Sequence, residues 1–191
     1  MGSNLPELVS SRFCVRLGEL ADVAAIVQYY TANQAHLQPY EPIRSAVFYS
    51  QWYWSNEVEA RVQQFYADKS LRLFIFERDR RQIIGVVNFN CIVRGFRQSA
   101  SLGYSLAADK QGQGYMSEAL SLVLPYAFEN LKLRRITAAY MPHNTRSGKL
   151  LQRMGFRIDG RAHHYLQING RWEDHILTSL VKSAWQSQTE S

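Results

Sequence analysis

The sequence predicts an α+β fold, a mixed and mostly antiparallel central sheet with flanking helices, and three features point to it. The apolar runs Leu71 to Glu77 and Ile83 to Ile92 are joined by the polar turn Arg78 to Gln82, and Gln98 to Leu106 follows the Gly95 turn, so three antiparallel strands stand in a row. Near the end, Phe156 to Gln167 and Trp172 to Val181 meet across Asn169-Gly170, a strong two-residue hairpin signal. Helical periodicity precedes the first group and separates it from the second. That mixed order, in a chain of 191 residues, predicts one domain spanning 1–191 with its core over about 10–182.

The elements follow in order. The first ten residues, and the last eight apart from Ala184 and Trp185, read as loose termini. Phe13 to Leu17 alternates as a short strand. Leu20, Ala24, Ile26, Val27 and Tyr30 recur at helical spacing, so a helix is expected from Leu20 to about Asn33. His36 to Pro42 holds two prolines and reads as a loop. A second helical region runs from about Phe48 to Ala67; its aromatics Trp52, Tyr53, Trp54, Phe65 and Tyr66 are expected to be mostly core, with one or two in a groove. After the three strands, Ala107 to Gly114 is small and polar. Met116 to Leu131 is a helix that Pro125 should bend by removing one backbone bond. Arg135 to Tyr140 is a strand, Asn144 is a good N-cap for a helix through Met154, and Gly155 is its C′ residue.

Composition narrows the function classes. Hydrophobic residues make up 46% and charged residues 20%, which suits a folded globular chain. No apolar run approaches the ~20 residues of a membrane span, and Glu7 and Ser10 to Arg12 interrupt any leader-like core. Cys14 and Cys91 lie far apart in apolar stretches and are expected to be buried thiols in a reducing cytoplasm; neither a disulfide framework nor a metal site is expected. The net charge of +6 favours anionic partners such as phosphates, RNA or acidic proteins, or serves solubility alone. No aromatic RNA-reading pattern or dense basic run supports direct nucleic-acid readout.

The chemistry-bearing stretch is Gln111-Gly112-Gln113-Gly114-Tyr115-Met116, between a strand and a helix. Glycines let backbone N–H groups turn toward a ligand, and the helix that follows adds unpaired N–H groups and a positive dipole end. Together they suit a pyrophosphate. There is no Gly-Lys-Ser/Thr of a nucleoside-triphosphate loop and no third glycine of a dinucleotide fingerprint.

This stretch resembles the Gln-x-x-Gly-x-Gly/Ala coenzyme A signature of the GNAT acetyltransferases, here Gln111, Gly114 and, at the departing position, Met116. Asn144 to Phe156, an asparagine-containing helix ending in Gly-Phe, is similar to the second GNAT signature. Further segments narrow the resemblance: Pro39-Tyr40-Glu41-Pro42, Val93-Arg94-Gly95, Leu102-Gly103-Tyr104-Ser105, Tyr140-Met-Pro-His-Asn144 and Asn169-Gly-Arg-Trp172-Glu-Asp174-His175 look like the RimJ branch of the RimJ/RimL family.

The resemblance, over about residues 10 to 182, implies the GNAT fold. It also implies acetyl transfer from acetyl coenzyme A to the α-amino group of a protein N-terminus, an alanine-starting protein of the small ribosomal subunit for this branch. The ribosome itself stays open as a partner. Two other functions are weighed against it: acetylation of a small-molecule amine, and a non-catalytic ribosome-binding module on the same fold.

For the cofactor, the resemblance implies Gln111, Gly112, Gln113, Gly114, Tyr115, Met116 and Ser117 around the pyrophosphate. Tyr104, Ser105 and Leu106 would lie along the pantetheine arm, with Asn144 and Ser147 facing it. The tyrosine that serves many GNAT enzymes as general acid is replaced by Leu151; RimL relatives use a serine, matched by Ser147. The glutamate base of other N-terminal acetyltransferases falls at Ala139. Two routes for the proton stay open: Glu41 in its Pro-bracketed loop, and the strand histidines His163, His164 and His175, of which His164 and His175 are the better placed. An α-amino group with pKa near 8 is already partly neutral at neutral pH. Arg94, Arg97, Arg146, Arg153 and Arg161 read as a solvated face, with Arg146 and Arg153 near enough to the cofactor helix to meet phosphates.

Overall fold

The structure, a computed structural model, describes residues 5–183 and residue 185. Residues 1–4 and 186–191 of the termini read above as loose, and residue 184, lie outside the described residues.

Eight strands form one sheet in the order β1-β2-β3-β4-β5-β6-β8-β7. They are β1 Glu7–Val9, β2 Phe13–Arg16, β3 Leu71–Glu77, β4 Ile83–Val93, β5 Ser99–Leu106, β6 Arg135–Tyr140, β7 Arg157–Ile168 and β8 Arg171–Val181. Strand β1 corrects the expectation of a loose N-terminus. Glu7 to Val9 pair antiparallel with β2, whose outer edge would otherwise leave its N–H and C=O groups unpaired. Every neighbouring pair is antiparallel except β5 and β6. Those two run parallel only where Ser99–Leu102 face Arg135–Ala138. Beyond Leu102, β5 stays on β4 while β6 stays on β8, so the sheet opens into a cleft.

The helices are α1 Val23–Ala32, α2 Gln34–Leu37, α3 Gln51–Tyr66, α4 Tyr115–Glu129 and α5 Thr145–Arg153. The expected loop from His36 to Pro42 is partly helical. Helix α2 ends in it, and Gln38–Tyr40 forms a 3-10 turn with Pro39 in its first positions, where a missing N–H costs nothing. The second helical region is divided: Ala46–Tyr49 is a 3-10 turn, and the Ser50 hydroxyl accepts from the Tyr53 N–H to cap α3. Helix α4 runs unbroken past Pro125.

Two apolar clusters fill the two faces of the sheet. On one, α4 and α5 cover Leu73, Ile75, Val87, Phe89, Leu102 and Ile136. On the other, α1 and α3 cover Phe74, Phe76 and Val86, with Tyr30 stacked on the fully buried Trp54. Each such side chain contributes roughly 2–3 kcal/mol of burial before entropy is counted. The aromatic stripe on α3 is core at Trp54 but not throughout, since Trp52 and Tyr66 are exposed. Trp185 packs on Phe128 of α4.

Cys14 is buried as expected, and burial pushes its thiol pKa up. Cys91 is exposed, against expectation. It takes φ +52° at the bulge where the β4–β5 register shifts between Asn90 and Val93, and the bulge turns its side chain out. Among the described residues no helix is long and apolar enough to cross a membrane, and no group of three or more His, Cys, Asp or Glu is placed to hold a metal ion.

Candidate active site

The opening between β5 and β6 is one cleft of about 980 Å³. Its two ends differ in chemistry because the sheet is two-sided. Alternate residues of β4 and β5 face opposite helix layers.

At the first end, the loop after β5 carries Gly112 at φ +74° and Gly114 at φ +80°, the latter capping α4. These left-handed conformations suit glycine, and they present the first N–H groups of α4 to the cleft. Gly112, Gly114, Tyr115, Met116 and Ser117 line it; Gln113 does not. Its side chain donates to the Asp109 carbonyl and its own carbonyl accepts from Arg12 Nη1 at 3.0 Å. Arg12 also pairs with Glu118 at 2.5 Å, which offsets a carboxylate in the first turn of α4, and it lies over the Tyr115 ring. Gln111 is a strut rather than a free arm. Its amide oxygen accepts from Arg146 of α5, so its NH₂ group faces His36 Nε2 at 2.7 Å. Arg146 and Arg153 both line the cleft. The other arginines of the expected solvated face divide: Arg94 pairs with Asp68, Arg161 with Asp174, and Arg97 is exposed.

At the middle of the cleft, Tyr104 reaches across from β5 to α5, its hydroxyl 2.7 Å from Ser147 Oγ. Burial pushes the Tyr104 pKa up to about 12, so at neutral pH it keeps its proton. Asn144 Oδ1 accepts from the Ser147 N–H at 3.2 Å, the expected cap. Gly148 is needed beside them: a Cβ there would stand 2.8 Å from the Tyr140 ring. Residues Gly103 to Leu106 pair with β4 along one edge, and their other edge faces the cleft. Tyr104 and Ser105 point to opposite faces, and Ser105 Oγ is 3.0 Å from the Tyr29 hydroxyl.

At the other end, under α1 and α3, stand Glu41, Arg44, Tyr30, Tyr53 and His175. Glu41 is half-buried and pairs with Arg44 Nη2 at 3.3 Å; burial raises its pKa above the ordinary carboxylate value. Its loop is anchored, because its carbonyl accepts from the Asn169 N–H at 2.9 Å in the β7–β8 turn. The histidines separate. His175 is buried to 4% exposure and lines the cleft. Its Nδ1 is 3.0 Å from the Glu173 carbonyl, which only accepts, so Nδ1 carries the proton and Nε2 is the basic nitrogen. His164 is exposed, sits at φ +47° on the bulge of β7 and does not line the cleft. Its N–H donates to Asp174, whose other oxygen holds Arg161 and His163; these bonds keep Asp174 well below the usual carboxylate range. The aliphatic Ala139 lines the same end.

The cleft also holds residues that sequence reasoning passed over: Glu57, Arg61, Arg72, Asn88 and Asn90. A signal was available. Arg61 continues the buried stripe Trp54, Val58 of α3, and Asn88 and Asn90 interrupt the apolar run of β4 on one face.

Residues 12–157 match the acetyltransferase (GNAT) domain family. The chain is 40% identical to the [ribosomal protein uS5]-alanine N-acetyltransferase of Escherichia coli, over 96% of this chain and 95% of that one. Two solved structures are close in shape. A ribosomal-protein-S5-alanine acetyltransferase from Vibrio fischeri superposes with TM-score 0.90 at 34% identity, covering 94% of this chain and 98% of the other. The Mycobacterium smegmatis RimJ, solved in complex with CoA-disulfide, gives TM-score 0.85 at 26% identity, covering 97% and 93%.

Proposed function

The chain belongs to the GNAT acetyltransferase family, and we propose that it moves the acetyl group of acetyl coenzyme A to the N-terminal α-amino group of a protein, an alanine-starting protein of the small ribosomal subunit. What carries this reading is near end-to-end identity of 40% with an enzyme named for that reaction on uS5, joined to a through-cleft with a phosphate-suited loop at one end and a carboxylate and histidine at the other.

The residues divide the work. The N–H groups from Gly112 to Ser117 meet the pyrophosphate, with Arg146 and Arg153 alongside for phosphate charge. Gln113 helps from behind, through the carbonyl that Arg12 clamps. The open edge of Gly103 to Leu106 pairs with the pantetheine arm and holds the thioester carbonyl. The coenzyme supplies the activated acetyl group; the protein supplies proximity and proton control.

Tyr104 and Ser147 stand where the thiolate leaves. A serine hydroxyl alone is a weak acid, but one backed at 2.7 Å by a phenol can pass a proton on and be refilled. On the acceptor side, Glu41 attracts the ammonium although Arg44 already offsets part of its charge. His175 Nε2 receives the proton directly or through water. With Ala139 in place of a glutamate, the proton leaves through His175, two positions along β8 from Leu177, the residue that pairs with Ala139. His164, outside the cleft, takes no part in that path.

The test is thiol release from acetyl coenzyme A with a panel of acceptors. Turnover with an alanine-starting peptide, and none with polyamines or aminoglycosides, supports the reading; the reverse pattern overturns it.

A further inference from the structure

Among the described residues, two buried side-chain atoms lack a hydrogen-bond partner in the protein: Arg61 Nη1 and Asn88 Oδ1. Both residues line the cleft, on its α3 side. Arg61 is only 7% exposed. Buried polar groups are almost always paired, and an unmade bond to a charged donor is the costlier kind. One orphan is a donor and the other an acceptor. They approach from different elements, Arg61 from helix α3 and Asn88 from the sheet strand β4.

Their surroundings hold them in place. Glu57 accepts from Arg61 Nε at 3.0 Å and from Arg72 Nη1 at 3.2 Å. Arg72 Nε donates to Asn90 Oδ1 at 3.1 Å. The Arg61 guanidinium lies 4.7 Å from the Trp54 ring centroid and 5.2 Å from that of Phe74. A guanidinium so wedged has little rotamer freedom left to lose on binding. One carboxylate between two arginines leaves the group a net positive charge, which disfavours a polycationic acceptor and favours a carbonyl dipole.

We propose that Arg61 and Asn88 form an acceptor subsite that reads the first peptide group of a polypeptide substrate, Arg61 Nη1 donating to its carbonyl and Asn88 Oδ1 accepting from its N–H. A trans peptide points its C=O and N–H to opposite sides. A chain threaded between α3 and the β4 floor meets a donor on one side and an acceptor on the other. The subsite therefore selects an amine followed by an amide over a simple amine. This rests on the reading that the acceptor is a protein N-terminus.

The experiment changes the substrate first, so folding is not at stake. An alanine-starting peptide is compared with its depsipeptide, in which an ester oxygen replaces the N–H of the first linkage. The unmodified enzyme should prefer the amide by about 10- to 100-fold in kcat/KM, the range for one lost bond to a buried partner. Asn88→Leu, which has no acceptor to offer, should bring that ratio close to one while leaving the acetyl coenzyme A KM unchanged. Arg61→Met should lower peptide kcat/KM with either substrate; where it does not fold, the Asn88 ratio decides. A ratio near one in the unmodified enzyme, or a ratio that survives Asn88→Leu, overturns the subsite while leaving N-terminal acetylation standing. If simple amines are acetylated and no peptide is, both readings fall.

Discussion

Replacing Ser147 by alanine separates the two roles that this residue can play. The substitution keeps the backbone N–H that Asn144 caps at 3.2 Å and deletes only the hydroxyl that meets Tyr104 at 2.7 Å. The helix start survives, so the stability loss is that of one neutral, partly buried hydrogen bond, about 0.5–1.5 kcal/mol. In a chain of this length each kcal/mol moves Tm by about 2–4 °C. Proton transfer to the leaving thiolate is a larger matter: losing one positioned group costs roughly 10- to 1000-fold in kcat, about 1.4–4 kcal/mol. Tyr104→Phe should fall in the same range, because its phenol, with a pKa of about 12, remains a donor at neutral pH. If the two hydroxyls form one relay, the double variant is no slower than the slower single variant. The assay is steady-state thiol release at saturating acetyl coenzyme A and peptide, with thermal melts alongside. An unchanged kcat in Ser147→Ala with only a lowered Tm leaves the serine a structural bond. Losses that multiply in the double variant refute the relay.

Three more outcomes are expected. Gly114→Val should raise the acetyl coenzyme A KM; a Cβ there meets only Arg12 Nη2 at 3.7 Å, so the penalty comes from the φ of +80°, ~1–3 kcal/mol for a non-glycine residue, and normal cofactor kinetics would remove the loop from the phosphate site. Glu41→Gln should raise the peptide KM and spare the acetyl coenzyme A KM. Because the folded pKa of Glu41 is raised, its protonated form is favoured by folding below the ordinary carboxylate pKa, and that contribution is lost as pH rises through the folded value; the variant should hold or gain Tm at neutral pH, and a clear Tm loss there would mean that the Arg44 pair dominates. Native protein should react with a thiol reagent at Cys91 alone, Cys14 following only on unfolding; two fast thiols, or none, would contradict the bulge at Asn90 to Val93.

Much of the fold was legible because its signals are local. Alternation marked β2, apolar runs marked β3 and β4, Asn169-Gly170 marked the β7–β8 turn whose two residues both take positive φ, and Asn144 and Gly155 marked the ends of α5. Strand β1 escaped because three residues carry no period, and only the open edge of β2 makes them a strand. Cys91 was misplaced for a related reason: an apolar neighbourhood reads as burial, and a bulge in the pairing with β5 overrides it.

The candidate site divides along the same line. Sequence alone determined the glycine loop, the Asn144 cap and the absence of a tyrosine at Leu151 and a glutamate at Ala139, since each is a residue type at a fixed offset within one segment. Tertiary structure decided that Tyr104 meets Ser147, that His175 enters the cleft while His164 faces away, and that Arg61 and Asn88 converge from a helix and a strand. Those pairings join residues 27 or more positions apart, or depend on a bulge that flips one strand face, as at His164. Such contacts are set by how β5 and β6 part and how α3 lies on β4, which no short window of sequence encodes.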